Sequence, residues 1–109
     1  MLLISDQIIH SDMCGNILFD DDMAPLVIDF SPACRPKAYA EAILVADAIA
    51  LESAPVELIR EFPETSYHNQ MLIRAVDFRL ITAALFYQRD VATFELEYEN
   101  FSPVLQFLK

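Results

Sequence analysis

Three residues near the start of the chain, Asp12, Asn16 and Asp29, carry oxygen donors at the ends of short apolar runs. Asp12 follows Gln7-Ile8-Ile9-His10, Asn16 opens Asn16-Ile17-Leu18-Phe19, and Asp29 stands in Leu26-Val27-Ile28-Asp29-Phe30. A polar turn through residues 20–25, closed by Pro25, would fold the third run back on the second and bring Asn16 and Asp29 to one edge. Carboxylate and amide oxygens meeting there suit a hard cation such as magnesium, which keeps waters for substrate phosphates. Asp12 is then a free carboxylate beside the cation, placed to accept a proton from an attacking hydroxyl. Arg35 is the nearest basic group for a phosphate contact; inside Pro32-Ala33-Cys34-Arg35-Pro36 it can equally fix the loop to the helix that follows.

The elements that must position these residues divide the chain by texture. The three runs are strand-length and rich in β-branched and aromatic residues. From Pro36 the pattern turns helical: residues 37–52 contain no breaker and are apolar nearly all round, which predicts a central helix. Pro55 opens a short second helix through Phe62, and Pro63 stops it. A third helix runs from Thr65 or Ser66 to Gln88, with Gln70, Arg74 and Asp77 as its polar stripe. Its later part, Leu80 to Tyr87, is apolar on most faces and is expected to be covered. Residues 91–109 are expected to form one more helix and a final turn, broken near Ser102-Pro103. The expected fold class is α+β in one domain, 1–109: a small β-hairpin and strand unit over 1–32, then a mainly α-helical bundle over 36–109.

Composition removes several functions. A single glycine, Gly15, rules out the phosphate-cradling loops that need two or more glycines within a few residues. Seventeen acidic against seven basic residues give a net charge of −10, so nucleic acid and anionic membranes are poor partners. Cys14 and Cys34 match no zinc spacing and read as free thiols in a reducing compartment. The apolar start Met1-Leu2-Leu3-Ile4 lacks a positive flank and meets Asp6, so it is read as neither signal peptide nor membrane span, and a cytoplasmic location is expected. Asp20-Asp21-Asp22 lacks the alternating ligand spacing of a calcium loop and reads as a solvated turn. His10 reads as a packed, hydrogen-bonded histidine, and His68, near a helix start, as surface.

The order His10-Ser11-Asp12-Met13-Cys14-Gly15-Asn16, an apolar run, then Ile28-Asp29-Phe30-Ser31 resembles the catalytic and metal-binding segments of a kinase C-lobe, specifically the aminoglycoside phosphotransferase and choline kinase-like family of small-molecule kinases. The resemblance is carried by residues 7–32. It implies Asp12 as catalytic base, Asn16 and Asp29 as magnesium ligands, His10 as structural support of the loop, and ATP with magnesium as cofactors for phosphoryl transfer to a small acceptor. An acidic residue downstream of the metal site often braces the loop in this family by accepting its backbone N–H groups; of Glu41 and Asp47 in the central helix, Asp47 is assigned that role, the alternative being a carboxylate that is simply satisfied in the core. Ser11 stands where the family usually has glycine, the Asp12 to Asn16 interval is one residue shorter than common, and Ser31-Pro32 follows the metal aspartate. The family's N-lobe, which supplies the phosphate-pairing lysine, would precede this loop. Only nine residues precede His10, and the two lysines, Lys37 and Lys109, lie on no predicted strand. The chain is therefore expected to be a C-lobe without its N-lobe, inactive alone, with Leu2, Leu3, Ile4 or parts of the third helix exposed, and inclined to form a homo-oligomer or bind a missing N-lobe partner. The alternative is a degenerate, non-catalytic kinase-like module.

Overall fold

Four short strands make up the N-terminal third of the computed structural model, which describes residues 5–108. Expectations for Leu2, Leu3, Ile4 and Lys109 fall outside those residues. The strands are β1 (Asp6–His10), β2 (Ile17–Asp20), β3 (Met23–Val27) and β4 (Pro32–Pro36), paired as two separate antiparallel ribbons, β1 with β4 and β2 with β3. Three helices follow, α1 (Lys37–Leu51), α2 (Ser66–Phe86) and α3 (Val91–Phe107), with a 3-10 helix at Val56–Glu61 between the first two. The architecture is α+β, strand ribbons first and helices after.

Strand β4 is not among the predicted runs, because two prolines within five residues argue against pairing. The register removes the conflict. His10 faces Pro32, Ile8 faces Cys34 and Asp6 faces Pro36, while the adjoining pair Ser11 and Ser31 is hydrogen-bonded, Ser11 N–H donating to the Ser31 carbonyl at 2.9 Å. Bonded and non-bonded pairs alternate in an antiparallel ladder, so both prolines occupy positions where no N–H is required. Strand β3 likewise starts inside the predicted turn. Leu18 faces Leu26 but Asp20 faces Met23, so Phe19 stands opposite both Ala24 and Pro25, and this bulge absorbs the proline. The Asp22 N–H closes the turn on Asp20 Oδ1 at 2.8 Å, with Asp20, Asp21 and Asp22 all exposed.

Helix α1 is central, touching α2, α3, β1, β4 and the 3-10 helix. Its Ala42, Ile43, Ala46 and Ile49 join Met71, Leu72, Ala75 and Val76 of α2 and Phe101 and Val104 of α3 in one apolar cluster. Ser53 ends α1 in the left-handed region, φ 59°, where glycine is usual, and the Ala54 N–H returns to the Ala48 carbonyl at 3.0 Å. Thr65 caps α2 by accepting the His68 N–H at 3.1 Å. His68 is not a bare surface residue: its Nδ1 lies 2.7 Å from Thr65 Oγ1 and its ring packs edge-on against Phe62.

Helix α3 runs unbroken through Pro103, against expectation. The proline removes the N–H that would reach the Glu99 carbonyl, and the Ser102 hydroxyl donates to that carbonyl instead at 3.1 Å. The preceding residue thus repairs what the proline breaks. At the other end Asp90 accepts from the Thr93 N–H at 3.1 Å and its hydroxyl, and these bonds hold the Asp90 carboxyl below the ordinary carboxylate range. A lowered native pKa stabilises above the unfolded value and the effect is lost as pH falls through the native one. Melting curves of wild type and Asp90→Ala should differ at neutral pH and converge as the pH drops below the carboxylate range.

The late part of α2 is not covered as the sequence suggests: Ile81, Leu85 and Phe86 are 61%, 65% and 81% exposed. The β2–β3 ribbon packs against no other element of the described residues and leaves Phe19, Met23 and Leu26 mostly exposed. The Cα radius of gyration, 14.7 Å, exceeds the roughly 13 Å of a compact chain of about this length, as a projecting ribbon requires. Among the described residues, no helix is long and apolar enough to cross a membrane.

Candidate functional site

Strand β1 delivers His10 and Ser11 to the interior, and the loop that follows is tied down at each step. Ser11 Oγ donates to the Ser31 carbonyl at 2.9 Å, doubling the backbone bond between the same residues. The His10 ring is buried, edge-on to Phe30 with centroids 5.3 Å apart. Its Nδ1 accepts the Asp12 N–H at 3.0 Å, and its Nε2 lies 3.2 Å from the Ile28 carbonyl. With Nδ1 accepting from Asp12, Nε2 is the nitrogen left to donate to the Ile28 carbonyl, so His10 clamps the Asp12 loop to the residue after β3.

Asp12 faces outward, its side chain 45% exposed. Asn16 Nδ2 donates to the Asp12 carbonyl at 2.7 Å and approaches Asp12 Oδ2 at 3.4 Å, while the Asn16 N–H closes the turn on the Met13 carbonyl at 2.9 Å. Gly15 sits in that turn at φ 79°, a conformation that strains other side chains, and here the chain uses its single glycine. The Asn16 carbonyl accepts the Ile28 N–H at 2.9 Å, extending the β2–β3 ladder by one step.

The residue that organises the site is one the sequence reading passed over, Arg79 of α2. Its guanidinium bonds Asp12 Oδ1 at 2.8 Å, reaches the Ser11 carbonyl at 3.5 Å, and grips Asp47 with two bonds, from Nε to Oδ1 at 2.9 Å and from the terminal nitrogen to Oδ2 at 2.5 Å. The Asp47 side chain is 1% exposed and that of Arg79 17%. Burial pushes the Asp47 carboxyl up, with the two bonds from Arg79 opposing it. Burial also works against the Arg79 charge, but the bonds and charges of Asp47 and Asp12 outweigh it and hold the guanidinium firmly ionised. Asp47 therefore braces the loop through Arg79, not by accepting loop N–H groups: among the described residues its hydrogen-bond partner is Arg79 alone.

Of the predicted site residues, the structure brings the expected base Asp12 and the expected ligand Asn16 together, but not the two expected ligands Asn16 and Asp29. Asp29 stands at the same end of the β2–β3 ribbon, one residue past Ile28, exposed and at φ 48°. Its carboxylate bonds neither Asn16 nor Asp12 among the described residues. No cluster of three or more His, Cys, Asp or Glu side chains suited to a metal occurs among those residues either. Arg35 is not at this site. It lies on β4 opposite Gln7, its Nη1 donating to the Cys34 carbonyl at 2.7 Å. Burial raises the Cys14 thiol pKa, the carboxylates of Asp47 and Glu52 add to the rise, and Arg79 opposes it.

Asp12 and Arg79 open onto a cavity of about 230 Å³ between the C-terminal parts of α1 and α2 and the middle of α3, walled by Leu51, Phe86, Tyr87 and Phe101, with Glu97 as its second carboxylate. A solvent-reachable carboxylate, anchored on one oxygen and flanked by an amide, can accept a proton or share a hard cation. No family model matches the chain, and no curated protein and no solved structure matches it.

Proposed function

We propose that the chain is the catalytic and metal-binding half of a small-molecule phosphotransferase resembling the aminoglycoside phosphotransferase and choline kinase-like kinases. The observation that carries this reading is the Asp47–Arg79–Asp12 relay: a buried carboxylate holds a guanidinium whose other contacts fix one oxygen of an exposed loop aspartate and leave the second towards solvent. Burying an ion pair is costly, and here it serves to aim one carboxylate, as positioning catalysis requires.

In this reading Asp12 takes the proton of the acceptor hydroxyl as its oxygen bonds to the γ-phosphorus. The bond from that phosphorus to the bridging oxygen breaks, and nucleoside diphosphate leaves. His10 and Ser11 hold the loop against β3 and β4. The donor set fits magnesium: Asn16 Nδ2 is committed to Asp12, leaving its Oδ1 as an amide oxygen, and the Asp29 carboxylate is exposed nearby at the end of the ribbon. Magnesium is commonly held by one or two carboxylates, with waters and phosphates completing its shell, and when bound it offsets phosphate charge during transfer. Lys37 pairs with Glu41 at 3.7 Å on α1, and no strand among the described residues carries a lysine. The nucleotide clamp is then another polypeptide segment, seated over the apolar β2–β3 ribbon. The free thiols Cys14 and Cys34 fit a cytoplasmic setting.

Calorimetry with ATP and magnesium tests this. Weak binding that is absent in Asp29→Ala is expected; no heat up to millimolar nucleotide overturns the reading. The exposed ribbon favours a second reading, a non-catalytic kinase-like module that self-associates. A homodimer dispersed by Phe19→Ser, together with no nucleotide binding, would select it.

A further inference from the structure

Among the described residues, three of the six basic side chains are committed. Arg79 is paired with Asp47 and Asp12, Lys37 with Glu41, and Arg60 lies over the Phe107 ring. Arg89 pairs with no carboxylate among the described residues, and neither do Arg35 and Arg74, although the chain carries seventeen acidic groups. The latter two come from distant elements, β4 and the polar stripe of α2, and converge on one cavity of about 210 Å³ with Pro36, Tyr39 and Met71 as its other walls. No acidic residue lines it. The nearest carboxylate in influence, Asp77, acts on Tyr39 from outside the lining.

We infer that this cavity is a binding site for a phosphate group, held between the guanidiniums of Arg35 and Arg74 with the Tyr39 hydroxyl as a third donor. Each guanidinium presents a planar fork that matches phosphate oxygens two at a time, and two forks balance a dianion. Burial raises the Tyr39 pKa above its ordinary value, so its hydroxyl remains a donor at neutral pH. Met71 and Pro36 give one apolar wall, suited to the carbon part of a phosphate monoester. The cavity shares no lining residue with the one at Asp12, so the inference stands apart from phosphoryl transfer. In a chain of net charge −10, anions are repelled from the surface in general, and a phosphate is directed to the spot where two unpaired cations meet.

The test is a titration of the full chain with inorganic phosphate, without magnesium or nucleotide, following the arginine Nε–Hε signals by NMR at constant ionic strength. Arg35 and Arg74 should shift together on one saturable curve while Arg79 and Arg60 stay fixed. Arg74→Gln and Arg35→Gln, both at exposed positions, should each weaken binding about tenfold, the loss of a charge-assisted bond pair. Acetate should bind more weakly than phosphate. Phenyl phosphate binding tighter than phosphate would identify an organic ester as the occupant, and equal affinity would identify phosphate itself. A shift without saturation, one reproduced by sodium chloride, one centred on Arg79, or one unchanged in Arg74→Gln would overturn the site. Failure here leaves nucleotide binding at Asp29 untouched, and the reverse holds.

Discussion

Arg79→Leu is expected to destabilise the protein by about 3–5 kcal/mol, because it strands an uncompensated carboxylate in the core. Asp47 is fully buried, and its two hydrogen bonds among the described residues both come from Arg79. Chemical denaturation should show a lower midpoint with the slope unchanged. The double variant Arg79→Leu/Asp47→Leu should recover most of that loss, since replacing a buried pair by apolar side chains is often neutral or stabilising by about 1–4 kcal/mol. Arg79→Lys should fall between, because one ammonium cannot match the two-nitrogen grip on Asp47 while also reaching Asp12. A double variant no more stable than Arg79→Leu would mean that the guanidinium matters for its packing and not for its charge.

The double variant also separates scaffold from site. With both charges gone the helices still pack, but Asp12 loses its 2.8 Å anchor and the Ser11 carbonyl its long contact. A stable fold with a mobile Asp12 loop is the expected outcome, seen as line broadening confined to residues 11–16.

Helical segments were legible where the signal was local. The breaker-free run after Pro36, the stop at Pro63 and the Thr65 cap all act within a turn or two of themselves, and α1 and α2 lie where those signals put them. What escaped was non-local. Strand β4 depends on the parity of Pro32 and Pro36 against β1, which is visible only once the partner strand is known. The passage of α3 through Pro103 depends on which carbonyl Ser102 can reach. Arg79 escaped for another reason. The polar stripe Gln70, Arg74, Asp77 drew attention, whereas Arg79 follows Leu72, Ala75 and Val76 along the buried face. Asp47 interrupts the buried face of α1 in the same way, beside Ala46. One basic and one acidic residue on the apolar faces of two long neighbouring helices is a pairing signal, because neither can be buried alone. Weighing them together would have pointed to the brace, though not to its reach as far as Asp12.

Asp12→Asn carries the largest expected effect on activity. The amide can present its oxygen to Arg79 and keep the 2.8 Å contact, which places its nitrogen where Oδ2 stood, towards Asn16 and solvent. That nitrogen cannot take a proton. If Asp12 serves as the general base of phosphoryl transfer, the rate from ATP should fall about 10²–10⁴-fold. Nucleotide and magnesium affinity should change much less than the rate, since Asn16 loses only its long 3.4 Å contact with Oδ2 and keeps its 2.7 Å bond to the residue 12 carbonyl, and the melting temperature should stay close to that of wild type. The rate is read by following γ-phosphate release, with water as acceptor, in the chain combined with the nucleotide-clamp segment that the proposed function calls for. The separation of rate from affinity and stability is what distinguishes a base from a structural carboxylate: a merely structural Asp12 would lose all three together, and an unchanged rate would remove Asp12 from the chemistry altogether. Asp12→Ala sharpens the comparison, because it also releases Arg79 from the loop. A larger loss in alanine than in asparagine would measure what the anchored orientation adds beyond the proton transfer itself.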